Sequence, residues 1–202
     1  MKLLILCVLV SFVVFTVAAD TNGDNPALAE CAQKFAEKVQ ALCGQFFDID
    51  QIQDIMQQMF DLYYKEGKTI REIMDYYNAN YRNVGLDPDQ VDEITSVYTN
   101  VQEILGGVDE AEKLRQKAMD VGLEFVKDDQ AQVDETIKGL KTSGASEADA
   151  ETAVCQQVFT MTTAQKKIML EQKLFALVPA DKLEAIKTQL RRMGKLLTDS
   201  TN

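Results

Sequence analysis

The chain has 202 residues, 32 Asp and Glu against 21 Lys and Arg, a formal net charge of −11, and no histidine or tryptophan. That balance argues against holding nucleic acid or an anionic membrane by bulk electrostatics. The missing imidazole removes Ser-His and Cys-His nucleophile pairs, histidine zinc sites and an imidazole pH switch.

Met1 to Ala19 carries a lysine at position 2, an apolar run from Leu3 to Val17, and Val17-Ala18-Ala19 before Asp20. This is the pattern of a secretory signal peptide, and the run is shorter than the roughly 20 residues a spanning helix needs. The expectation is a secreted, extracellular protein beginning near Asp20, without stable membrane insertion. No Asn-x-Ser/Thr sequon occurs, so no N-linked glycan is expected.

Asn25 and Pro26 read as the cap and first residue of a helix. Leu28, Cys31, Phe35, Val39, Leu42 and Phe46 then recur at helical spacing. Asp48 or Asp50 opens a second helix with Ile52, Ile55, Met59, Phe60 and Tyr63 inward, ending near Gly67. Thr69 caps a third, carrying Ile70, Ile73, Met74, Tyr77 and Tyr81, which Gly85 breaks. Asp87-Pro88 starts the fourth, with Val91, Ile94, Tyr98, Val101 and Leu105. Gly106-Gly107 is the clearest interruption in the chain.

Asp109 caps a fifth helix (Leu114, Ala118, Val121, Phe125), and a sixth is expected from Asp129 to Lys141. The seventh carries Val154, Val158 and Met161, and the eighth, from Thr163, carries Ile168, Leu174 and Leu177. Pro179 ends that one, and a last helix uses Leu183, Ile186, Leu190, Met193 and Leu197. No stretch alternates with period two. The fold class is all-α, about eight or nine amphipathic helices packed as one bundle.

Two junctions echo each other. Lys65-Glu66-Gly67-Lys68-Thr69 and Ser143-Gly144-Ala145-Ser146 each end one amphipathic segment in glycine and open the next with a hydroxyl cap. Glu72 and Asp149 stand three residues beyond those caps, at capping-box spacing. Gly44 likewise matches Gly122, and Asp50-Gln51-Ile52-Gln53 matches Asp129-Gln130-Ala131-Gln132. The chain reads as a leader, residues 1–19, and two diverged copies of one helical unit, residues 20–105 and 106–202.

Cys7 lies in the leader, which leaves Cys31, Cys43 and Cys155. Cys31 and Cys43 share a helix and stand about 18 Å apart, beyond the ~7 Å limit for bridging. One of them closes to Cys155, with Cys43–Cys155 the preferred pairing; three reduced, buried cysteines are the alternative. The cysteine left over is open to a disulfide-linked homodimer.

Chemistry is sparse. Gly-rich phosphate loops, G-x-S-x-G and C-x-x-C are absent, so neither an enzyme nor a cofactor is expected. Asp48, Asp50, Asp54 and Asp61 lack the glycine and the final glutamate of a calcium loop, so no metal is expected. All six tyrosines fall between residues 63 and 98. Tyr77 and Tyr81, on the face of Ile73 and Met74, offer an amphipathic lining for an apolar ligand. Arg191, with Lys187, Lys195 and Arg192 on the last helix, is a candidate anchor for a ligand carboxylate, and Arg71 is a second.

On the stretches Lys65 to Lys68 with Glu72 and Tyr76-Tyr77, and Leu140 to Ser146 with Thr163-Ala164-Gln165-Lys166, the chain resembles the secreted helical units of nematode polyprotein allergens. The resemblance implies small helical domains that bind fatty acids and retinoids. The reading is therefore a secreted carrier of a small hydrophobic ligand, lined by Ile73, Met74, Tyr77, Tyr81, Phe125 and Phe159, with Arg191 at the head group. The alternative is a secreted, non-enzymatic interaction protein with a solid helical core: an antigen, a host-directed effector or a matrix component.

Overall fold

In the computed structural model, residues 25–43, 46–80, 82 and 85–192 are described, with the backbone only at Cys43. The leader, Tyr81 and Lys195 lie outside them.

Short polar side chains set the helix starts. The Asn25 carboxamide oxygen accepts from the Leu28 N–H at 3.1 Å, opening α1 (Pro26–Cys43). Asp48 and Gln51 form a reciprocal capping box at 2.7 and 3.2 Å before α2 (Ile49–Phe60). Helix α2 widens into a π segment (Asp61–Lys65) in which the Glu66 N–H donates to the Asp61 carbonyl at 3.1 Å. Gly67, at φ 69°, then reverses the chain in the left-handed region that favours glycine.

Thr69 and Glu72 box the start of α3 (Ile70–Asn80), the Thr69 N–H donating to Glu72 at 2.8 Å. Helix α4 (Pro88–Leu105) starts on proline, and the Asp87 N–H donates to Gln90 at 2.9 Å. After Gly106 and Gly107 comes α5 (Val108–Ser143), ended by Gly144 at φ 73°. Ser146 caps α6 (Glu147–Met161), and Thr163 caps α7 (Ala164–Phe175). Helix α8 (Leu183–Arg192) follows Pro179. No strand occurs among the described residues. The protein is all-α, and both echoed junctions carry the left-handed glycine and hydroxyl cap that the sequence implies.

Two expectations are corrected. The fifth and sixth helices are one, α5, of 36 residues and therefore about 54 Å long. Asp129 does not cap anything; it pairs with Lys166 at 2.5 Å. No glycine or proline falls between Leu123 and Ile137, and Gly122, matched to Gly44 in the sequence echo, is buried inside the continuous helix. Val126, Val133 and Ile137 carry on the buried stripe of Leu114, Ala118 and Met119, so nothing stops the helix.

The second correction concerns the disulfide. Cys155 bonds to Cys31, not Cys43, with a Cα–Cα distance of 6.3 Å. Cys31 lies on the inward stripe of α1, beside Phe35, and that stripe packs on α6. Asn25 donates to the Ala148 carbonyl and to Thr152, and Lys38 donates to the Phe159 carbonyl at 2.7 Å. The two helices thus run parallel with the disulfide midway.

Helix α5 is the spine. Its first half meets α3 through Arg115 and Asp75 at 2.9 Å and through Arg71 and Asp120 at 2.5 Å. Helix α8 runs antiparallel to α4, with Asn100–Gln189 and Glu93–Arg192 contacts at 2.9 and 3.1 Å. Helices from both halves therefore interleave around one apolar core, which includes Phe35, Met56, Met74, Ile94, Met119, Val154 and Ile186.

Candidate functional site

The residues expected to line a ligand pocket are dispersed. Ile73, Met74 and Tyr77 are each 1% exposed and sit in the packed core. The Tyr77 hydroxyl lies 3.3 Å from both the Ile55 carbonyl and the Gln58 side chain. Phe159 is half-buried between helices, edge-on to Phe35 at 6.2 Å and beneath the Lys38 ammonium at 4.1 Å. Phe125 is half-buried on α5, and Arg191 is exposed on α8. The basic face of α8 is engaged locally: Lys187 pairs with Glu184 at 2.9 Å and Arg192 with Glu93. Arg71 is committed to Asp120.

A cavity of about 20 Å³ lies among Ile70, Val126, Val133, Val158 and Met161, on the scale of a single water. A larger concavity lies elsewhere. An open groove of about 640 Å³ runs between the π segment with its following turn and the C-terminal half of α5, within the size range of small-molecule sites. None of the six expected ligand residues that are described lines it.

One wall is built by the π segment. It presents Tyr63 and Tyr64 together, and Lys68 and Thr69 follow on the turn. Phe60 stacks on Tyr64 with centroids 4.9 Å apart, which ties this wall to the core. Lys65 clamps it from behind, bridging Asp61 and Glu147 at 3.0 Å each. Those two carboxylates hold the Lys65 ammonium protonated well above its usual range, Asp61 contributing most.

Asp134, Ile137, Lys138 and Lys141 stand along α5 on the opposite wall. The Tyr63 hydroxyl donates to Asp134 across the groove, and burial pushes the Asp134 carboxyl up. The Lys141 ammonium sits 4.2 Å from the centre of the Tyr64 ring. Gln130 lines both the groove and the small cavity behind it.

The groove therefore has an aromatic and aliphatic floor with ammonium groups on its rim. Such a surface suits a small amphipathic molecule through apolar contact and charge. Among the described residues no cluster of three metal-ligating side chains occurs, and no helix is long and apolar enough to cross a membrane.

No protein-family model, curated protein or solved structure matches the chain.

Tyr63 and Tyr64 belong to the tyrosine cluster visible in the sequence, but sequence reasoning favoured Tyr77 and Tyr81. A signal was present: a Tyr-Tyr pair directly before Lys65-Glu66-Gly67-Lys68 puts aromatics beside the reversal of the chain, where a groove can open. The π segment itself left no trace in the hydropathy pattern.

Proposed function

We propose that the protein is a secreted carrier of a small hydrophobic ligand, of the size of a fatty acid or retinoid, held in the groove between the π segment and α5. The observation that carries this reading is the groove itself: about 640 Å³, floored by Tyr63, Tyr64 and Ile137, on a bundle whose neighbouring interior cavity is about 20 Å³. The π segment supports it, since π insertions in α-helices recur at functional sites. Burying each methylene of an alkyl chain on such a floor contributes up to roughly 0.8 kcal/mol before entropic costs. The Cys31–Cys155 disulfide accords with an oxidising, extracellular compartment, as does the leader.

A solid-cored interaction protein is the second reading, favoured by the packing of Ile73, Met74 and Tyr77 and by Cys43, the cysteine left over for a disulfide-linked homodimer. Native mass spectrometry of protein purified from its own secretions, with organic extraction of bound material, separates the two. The carrier reading predicts fatty acid or retinoid at near one per chain, and uptake of a fluorescent fatty acid by stripped protein. A bare chain that takes up none, and runs as a dimer lost on reduction, overturns it in favour of the interaction protein.

A further inference from the structure

Half of the 14 described lysines on this acidic chain find a carboxylate. Lys34, Lys65, Lys113, Lys127, Lys166, Lys167 and Lys187 all do, at 2.5 to 3.8 Å. Lys138 and Lys141 do not: both line the groove, and among the described residues neither forms an ion pair.

Lys138 is the more telling of the two. Asp134 stands four residues before it, the spacing and order that favour a helical ion pair. Yet the Asp134 carboxylate takes the Tyr63 hydroxyl instead, and Lys138 is left facing the groove. One turn on, Lys141 rests over the Tyr64 ring, an arrangement in which an ammonium keeps its charge available. Lys68 stands on the other wall. Three ammonium groups and one carboxylate thus share a groove on a chain of net charge −11.

Resting on the carrier reading, we infer that the groove selects ligands with an anionic head. The ligand class is long-chain or polyene carboxylates, with the carboxylate between Lys138 and Lys141 and the apolar tail along Tyr63, Tyr64 and Ile137. Neutral lipids of the same length lack the charge this rim complements, and they bind more weakly. The head-group site lies on α5, and Arg191 on α8 takes no part in it.

The test uses the full mature chain, stripped of bound lipid, and matched pairs of probes: hexadecanoate against hexadecanol, and retinoic acid against retinol. Affinities are measured for the wild type, for Lys138→Gln/Lys141→Gln, and for Lys117→Gln/Lys173→Gln, whose exposed lysines lie off the groove and which removes the same charge. The inference predicts that both acids bind more tightly than their alcohols. Removing the groove lysines should weaken the acids about tenfold, the scale of two partly exposed ion pairs, and leave the alcohols unchanged. Raising the ionic strength from about 0.01 M to about 0.15 M should weaken only the acids, since exposed charge pairs are screened over that range. Equal affinity for acid and alcohol, or equal losses in the two double variants, overturns the head-group assignment while the carrier reading stands. Failure of all four probes to bind overturns both.

Discussion

Reduction of Cys31–Cys155 is the perturbation whose size follows most directly from the structure. The bond joins residues 124 apart in sequence, so in the unfolded chain it closes a loop spanning most of the protein. Loop-closure entropy for that length amounts to about 5 kcal/mol at 25 °C, and residual structure in the reduced unfolded state lowers it to about 3. Since α1 and α6 also hold each other through Asn25, Phe35 and Lys38, the reduced protein should still fold, only less stably. The assay is urea unfolding followed by far-ultraviolet circular dichroism, with and without reductant. With a slope near 2 kcal/mol per molar urea, the midpoint should fall by about 2 M. Cys43→Ala should unfold where the wild type does under oxidising conditions and should lose as much on reduction. A loss below about 1 kcal/mol, or a Cys43→Ala variant already as weak as the reduced wild type, refutes the pairing and the reasoning built on it.

Three further outcomes follow from particular residues. Met74→Ala, at a site 1% exposed, should cost about 2 to 5 kcal/mol in chemical denaturation while leaving ligand affinity within twofold, because the side chain fills the core and not the groove. Gly144→Ala should cost about 1 to 2 kcal/mol for forcing a β-carbon into the left-handed region at φ 73°. No neighbouring atom would touch the new methyl group, so any larger loss in the melting experiment contradicts a purely conformational cost. Arg115→Gln should alter the acid limb of the stability profile. The Arg115 guanidinium hydrogen-bonded to Glu112 lowers that carboxyl from 4.5 to about 2. A folded pKa below the unfolded one means this stability is present above pH 4.5 and lost as pH falls toward 2. The wild-type advantage over Arg115→Gln in urea titrations should therefore shrink across that window, and an advantage that grows on acidification contradicts the ion pair.

The helices were legible because each cap is a local event. Asp48 with Gln51, Thr69 with Glu72, and Ser146 with Asp149 satisfy backbone donors within three residues, and the apolar stripes between them have one period. The fusion into α5 was not legible for the same reason: Asp129 is as good a cap as Asp48 when read alone, and only the unbroken span of α5 shows it inside a helix. Cys31 could have been preferred over Cys43, since it lies in the stripe of Leu28 and Phe35 while Cys43 is one residue past Leu42. The groove depends on where the π segment meets α5, a contact between residues about seventy apart such as Tyr63 and Asp134. Periodicity placed Tyr77 on an apolar face, and it is on one; it could not tell a face against the core from a face lining a space.

Photoaffinity labelling with a fatty acid carrying a diazirine along its chain, followed by peptide mapping, locates the bound ligand directly. A ligand held in the groove gives saturable labelling, displaced by unlabelled hexadecanoate, on the peptides that carry Tyr63, Tyr64 and Ile137. Displaceable labelling concentrated instead on Ile73, Met74 and Tyr77 would contradict it, and would place the ligand inside the bundle.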